Sequence, residues 1–194
     1  MYGYLRGKII NLTPTQTYLD VNGIGYEIQL TLNTYEAIQD KETCQLFVHL
    51  QIREDAWTMY GFFTELEKAT FQKLLGISGV GAATARILLS SLTPQDFSKI
   101  VANGDSKALE KVKGIGAKTA QRIILELKGK LSLDFSEELN GFKHNTIEQD
   151  ALNALLGLGI SKSMAEAALK KTKPASDEKE SSVEERIKVA LKNL

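Results

Sequence analysis

The chain has a single cysteine, Cys44, set in the apolar run CQLFVHL. One thiol excludes an internal disulfide framework, and in that setting it reads as a buried core residue rather than a nucleophile. Two histidines, His49 and His144, stand apart, and no Cys/His/Asp grouping has metal-ligand spacing, so no metal and no other cofactor is expected. No apolar run approaches the roughly 20 residues of a membrane span. The opening MYGYLRGKII lacks a signal-peptide layout, so a cytoplasmic protein with no membrane partner is expected. Excess charge of either sign is missing too, with 24 Lys and Arg against 24 Asp and Glu in 194 residues. Taken over the whole chain, that balance argues against a polyanionic partner.

The distribution of charge argues for one. Residues 1–63 carry 4 basic and 7 acidic side chains, residues 64–131 carry 11 and 6, and residues 132–194 carry 9 and 11. The positive excess is confined to the middle segment, and local charge is what a polyanion meets within a Debye length of about 10 Å. The same segment repeats one pattern, GVGAATA at 79–85 and GIGAKTA at 114–120, at an offset of 35 residues.

Periodicity divides the chain into a multi-domain α and β protein. Residues 1–63 alternate in β-branched and aromatic stretches (YLRGKIINL, TYLDVNGIGYEIQLTL, CQLFVHLQI, AWTMYGFF), with a turn signal at Asn22-Gly23 and one helical piece, NTYEAIQD. Five or six short strands with one small helix predict an OB-like β-barrel, with Trp57 and Tyr60 packing it. Residues 64–131 switch to helical spacing broken by the two glycine motifs, and Thr93-Pro94 forms an N-cap and first helical position. Residues 132–145 (SLDFSEELNGFKHN) read as a flexible linker. Residues 146–194 predict a small three-helix domain, with Val183, Ile187, Ala190, Leu191 and Leu194 on one face of its last helix.

Neither glycine motif is a nucleotide loop. Gly76 and Gly81 have the P-loop spacing, but Ala82 stands where the lysine must be. Thr119 occupies the place of the third glycine of a dinucleotide fingerprint, and a helix rather than a strand precedes Gly114. The pattern fits a tandem helix-hairpin-helix instead. Two glycines around one apolar residue allow a tight turn and leave the first amides of the next helix facing outward. With the helix dipole behind them, such amides attract an anion, and a DNA phosphate suits the local charge. The expected DNA-binding residues are Gly79, Val80, Gly81, Ala82 and Arg86 in the first copy, and Gly114, Ile115, Gly116, Lys118 and Thr119 in the second. A hairpin that merely turns one helix into another, a helix-hairpin-helix repair enzyme (glycosylase or nuclease) and a protein-interaction scaffold remain as alternatives. From the residues alone Arg53-Glu54-Asp55 reads as a solvated turn.

The order of GYLRGKI, VNGIGYEI, REDAWTMYGF, GISGVGAATARILL and VKGIGAKTAQRIILELKGKL, followed by a linker and a helical end, resembles the RuvA family over essentially the whole chain. The resemblance implies a non-catalytic homotetramer that holds four-way (Holliday) junction DNA open and recruits the hexameric RuvB ATPase for branch migration. It further implies a place in recombination, DNA repair and the SOS response, with the RuvC resolvase as a further partner. By the same resemblance Glu54 and Asp55 form an acidic pin at the junction centre, and residues 146–194 bind the motor; Leu155, Leu158, Ile160 and Met164 are expected either to contribute its docking face or to form that domain's own core. One departure stands out: the first hairpin has Ala82-Ala83 where many relatives carry a basic residue.

Overall fold

The computed structural model describes residues 2–128, 147–170 and 182–193. The chain divides into two compact units, Met1–Leu139 and Asn140–Leu194.

The first unit opens with strands β1 (Tyr4–Thr13), β2 (Gln16–Val21) and β3 (Ile24–Leu30), helix α1 (Leu32–Ile38), and strands β4 (Thr43–Ile52) and β5 (Trp57–Phe62). The strands close into a barrel in the order β1-β2-β3-β5-β4, with β3 and β5 parallel and β4 returning antiparallel to β1. This is the five-stranded barrel of the OB type that the alternation predicted. Asn22 (φ 54°) and Gly23 (φ 87°) make the tight β2–β3 turn, and Asp20 Oδ1 accepts from the Gly23 amide at 2.8 Å. Positive φ at both central residues matches the right-handed twist of a hairpin, which is why Asn-Gly serves there. Leu19, Ile28, Leu30, Ile38, Leu46 and Val48 fill the barrel. Cys44 is buried at its edge, and burial pushes its thiol up to about 11, so it carries no thiolate at neutral pH.

Trp57 departs from expectation: it is 75% exposed and packs no core. It lies on the inward parity of β5, in step with buried Met59, and pairs with Ile52 of β4, which is 62% exposed. The two strands run past the end of the barrel core, so the right parity meets no partner there. Tyr60 sits further along, against Phe71 with ring centroids 5.1 Å apart.

Helices α2 (Glu65–Leu75), α3 (Ala82–Ser91), α4 (Pro94–Asn103), α5 (Ser106–Glu110) and α6 (Ala117–Leu127) follow. Phe71, Leu74, Leu88, Leu89, Phe97, Val101, Leu109 and Ile123 form their core, and Phe62 of β5 belongs to the same cluster. Barrel and helices therefore share apolar packing. A polar seam fixes their orientation. Thr31 Oγ1 and Thr34 Oγ1 of the α1 end donate to the two oxygens of Glu67 in α2, at 2.5 and 2.8 Å. Asn33 Nδ2 donates to the carbonyls of Leu89 and Leu92, at 2.6 and 3.1 Å, which satisfies acceptors at the end of α3.

The second unit consists, among the described residues, of α7 (Ile147–Gly157), α8 (Lys162–Lys170) and α9 (Val183–Lys192). Ala151, Leu155, Ala165, Ala168, Leu169 and Ala190 make its core, with Ile160, Val183 and Ile187 packed against it. Of the face expected on the last helix, Leu191 is instead 44% exposed, because it sits one residue past Ala190 and turns outward. Leu194 and the expected linker 132–145 lie outside the described residues.

Burial holds the Glu67 carboxyl above its ordinary value of 4.5, with the Thr31, Thr34 and Phe63 hydrogen bonds opposing that rise. A raised native value means the folded state binds the proton more tightly, so this contribution to stability is complete below about pH 4.5 and is lost as pH rises through the native value. Thermal denaturation should thus show the unaltered chain losing stability relative to Glu67→Gln as pH rises from 4.5 towards neutrality. Parallel pH profiles for the two proteins would contradict it.

Candidate nucleic-acid interface

The two glycine motifs fold into near copies of one turn. Gly79 and Gly114 both adopt φ 90°, a conformation open to glycine and strained for other residues. Gly81 and Gly116 are the N-caps of α3 and α6, with φ/ψ of −88°/171° and −88°/167°. The amide of Val80 donates to Ile77 O at 3.0 Å and that of Ile115 donates to Val112 O at 3.1 Å. Val80 and Ile115 are each 5% exposed and join the helical core. Their side chains pin the turns from inside, leaving only backbone to face a ligand.

The caps distinguish these two helices from five others. Thr31, Thr64, Thr93, Asp105 and Ser182 cap α1, α2, α4, α5 and α9 with side-chain oxygens that accept a first-turn amide. No side chain caps α3 or α6. The first amides bonded back to the cap carbonyls are those of Ala85 and Ala120, which donate to Gly81 O and Gly116 O at 2.9 Å. The amides of Ala82, Ala83 and Thr84, and of Ala117, Lys118 and Thr119, precede them and are the donors a helix leaves without an internal acceptor. A side chain at Gly81 or Gly116 would meet nothing within 4 Å, and φ there suits any residue. Neither conformation nor internal packing therefore demands glycine at these two positions.

Side chains around the turns differ. Lys118 is exposed in the first turn of α6 and Thr119 is half-buried beside it. Ala82, expected at the interface, is 3% exposed and belongs to the helical core. Arg86 does not reach the hairpin: its Nη1 donates to Gln29 Oε1 of β3 at 2.6 Å, tying α3 to the barrel. Sequence reasoning passed over Arg122, whose Nη1 donates to Ser78 O at 2.9 Å and so links α6 to the first turn. Only its place one helical turn beyond Lys118 hinted at it.

Glu54 and Asp55 occupy the exposed β4–β5 turn, closed by the Arg53 amide donating to Ala56 O at 2.9 Å. They project from the barrel beyond Ile52 and Trp57. In the second unit the expected docking face splits: Leu155 is buried and Ile160 packs on the core, whereas Leu158 and Met164 are 64% and 52% exposed. Side chains in a helical core this small have little choice, and Leu155 is the larger of the two residues that α7 gives to the buried cluster, the other being Ala151.

A closed OB-type barrel joined to a tandem helix-hairpin-helix unit with open, uncapped hairpins defines the class of protein. Family models agree along the chain: residues 1–61 match the RuvA N terminal domain, 71–130 the SAM-like helix-hairpin-helix tandem, and 146–194 the RuvA C-terminal domain. The chain is similar to the protein named Holliday junction branch migration complex subunit RuvA of Christiangramia forsetii, at 42% identity across 100% of both chains. Proteins of the same name from Amoebophilus asiaticus (44%, 99% of this chain and 100% of the relative) and Cytophaga hutchinsonii (42%, 87% and 88%) are also similar to it. The chain belongs to the RuvA family.

The glycines should separate folding from ligand approach. Gly79→Ala and Gly114→Ala place a methyl at positive φ and should each lower unfolding free energy by about 1–2 kcal/mol. Gly81→Ala and Gly116→Ala should stay within about 0.5 kcal/mol. Chemical denaturation of the four variants measures both, and equal losses at all four positions would refute the distinction.

Proposed function

We propose that this chain is a structure-specific DNA-binding subunit that grips the backbone of four-way junctions and brings the RuvB motor to them for branch migration. The observation that carries the reading is the pair of matching, uncapped helix N-termini behind open glycine turns, set in the one segment with a positive excess. A dipole-backed group of amides suits a phosphate oxygen, the missing side chains let the phosphate come close, and Lys118 adds a full charge. Such contacts position duplex and read no sequence. Selectivity for the junction then comes from how several subunits space their hairpins around a crossing point.

A homotetramer supplies that spacing. Tyr4 and Ile10 of β1 and Ile24 of β3 are 57%, 59% and 60% exposed, apolar surface that neighbouring copies would cover. In that assembly Glu54 and Asp55 form the central pin, where carboxylates repel phosphates and keep the arms from stacking shut. The chain itself is non-catalytic, acts in the cytoplasm, and leaves ATP hydrolysis to the motor and strand cutting to the RuvC resolvase. Leu158 and Met164 are the part of the second unit available to dock the motor. A tethered module holds a moving partner at high effective concentration while allowing it to turn.

Synthetic junction and linear duplex titrated at matched salt test the central reading. Junction binding should be at least about tenfold tighter and indifferent to sequence, and Lys118→Ala should reduce the log–log salt slope by about 0.9 for each phosphate it ceases to neutralise. Equal affinity for both DNAs would sink it. Replacing Glu54 and Asp55 with Gln and Asn should leave junction affinity unchanged or higher while altering migration rate; weaker binding would give the pin a structural role instead. A chain ending at Leu139 should bind junctions but fail to stimulate the motor's ATPase, and normal stimulation by it would remove the docking role from the second unit.

A further inference from the structure

The repeat gives its two turns unequal charge. At the offset of 35 residues, Lys113 and Lys118 flank the second turn, and their counterparts at the first are Ser78 and Ala83. The nearest cation downstream of the first turn, Arg86, is hydrogen-bonded to Gln29 of the barrel. The first hairpin thus has the backbone of a phosphate site and none of the side-chain charge. Into that gap comes Arg122 of α6, holding Ser78 O, the carbonyl directly before Gly79, at 2.9 Å. Its counterpart by the repeat is Ile87, so the link runs one way only.

We propose that Arg122 is the phosphate-binding cation of the first hairpin, supplied across the pseudo-repeat from the helix of the second. The proposal rests on the DNA-backbone reading above and adds a residue to it. A guanidinium has five N–H donors in a planar fork. One of them anchors on Ser78 O, which fixes the group beside the turn, and among the described residues no carboxylate pairs with it. The remaining donors can meet a phosphate oxygen held at the α3 amides, and a fork of this geometry suits phosphate better than a lysine would. A single residue then serves both hairpins: it is rooted in the second and charges the first. Since Lys118 and Arg122 lie one turn apart on α6, the two phosphates bound by a subunit would be addressed from one helix.

The full chain is titrated with a synthetic four-way junction between about 50 and 200 mM salt. Arg122→Gln retains an N–H for Ser78 O but removes the charge; it should weaken binding several-fold and lower the salt slope by about 0.9 for each phosphate left without its cation, one per bound subunit. Adding Ala83→Lys to Arg122→Gln should restore both affinity and slope, because it puts a cation back at the same turn. Weakened binding with an unchanged slope, or without rescue by Ala83→Lys, would make Arg122 a mere brace and overturn the proposal. Lys118→Ala is the control: if it too leaves the slope unchanged, the backbone reading fails as a whole, whereas an effect at Lys118 with none at Arg122 sinks this proposal alone. A measurement needing no variant accompanies these. Junction DNA should protect Arg122 of the unaltered chain from phenylglyoxal, and equal modification with and without DNA would overturn the assignment even if Arg122→Gln does not fold.

Discussion

Orientation of the hairpins relative to the acidic turn depends on one buried carboxylate, Glu67. Sealing a carboxyl from water is expensive, and it is tolerable only where donors replace the lost hydration. Thr31 and Thr34 provide them from the barrel's own helix, at 2.5 and 2.8 Å. The Thr34 hydroxyl also accepts from the Phe63 amide at 2.9 Å, at the point where β5 leaves the barrel. The group therefore joins α1, the end of β5 and the start of α2. Thr64 meanwhile caps α2 from its own side chain, leaving Glu67 free to reach across instead of back to its own helix end. Asn33 and Arg86 continue the seam on either side, and each satisfies an acceptor that would otherwise be left at the joint. A rotation of helices against barrel would break all of these together, so the seam holds the β4–β5 turn and both hairpins in one frame.

Within that frame each hairpin turn sets one glycine that the backbone requires beside one that it does not. Gly79 and Gly114 are needed by the fold, since φ 90° is strained for any other residue. Gly81 and Gly116 are not, having ordinary φ and open space in front. Val80 and Ile115, between them, are core residues. Each turn thus alternates a conformational glycine, a buried wedge and an open glycine over three consecutive positions. The uncapped amides follow from the last of these, because a Ser, Thr or Asp at 81 or 116 would accept the first-turn donors internally.

Much of this was legible in the letters because it is written locally. Alternation and Asn22-Gly23 announced the barrel, and the twofold glycine pattern announced the hairpins with their wedges. Trp57 was misplaced for a reason that periodicity contains: parity says which face a residue takes, and nothing about where the barrel core ends. Leu155, Leu158, Ile160 and Met164 formed one face in the sequence but divide between core and surface, since a small helical unit draws its nearest apolar side chains inward. Of the two arginines that follow the hairpins, the sequence singled out Arg86 and passed over Arg122. Only tertiary contacts assign one to Gln29 in the barrel and the other to Ser78 at the turn.

Net neutrality and a DNA partner are compatible once charge is placed on this architecture. The barrel segment is negative by composition, and two of its acids stand at the exposed β4–β5 turn; the middle segment is positive, with Lys113 and Lys118 exposed around the second turn. A uniformly basic protein would bind any duplex, because counterion release rewards every phosphate neutralised regardless of its arrangement. On the proposed reading, segregated charge attracts the backbone at the hairpins and repels it at the β4–β5 turn, and repulsion costs little only for a DNA shape that offers phosphates at the first place and space at the second. Attraction without the acidic turn would favour affinity over selectivity. The zero net charge is thus the sum of a negative barrel segment, a positive middle segment and a slightly negative final segment, and on the proposed reading discrimination between DNA shapes follows from the separation of attraction and repulsion within the first unit.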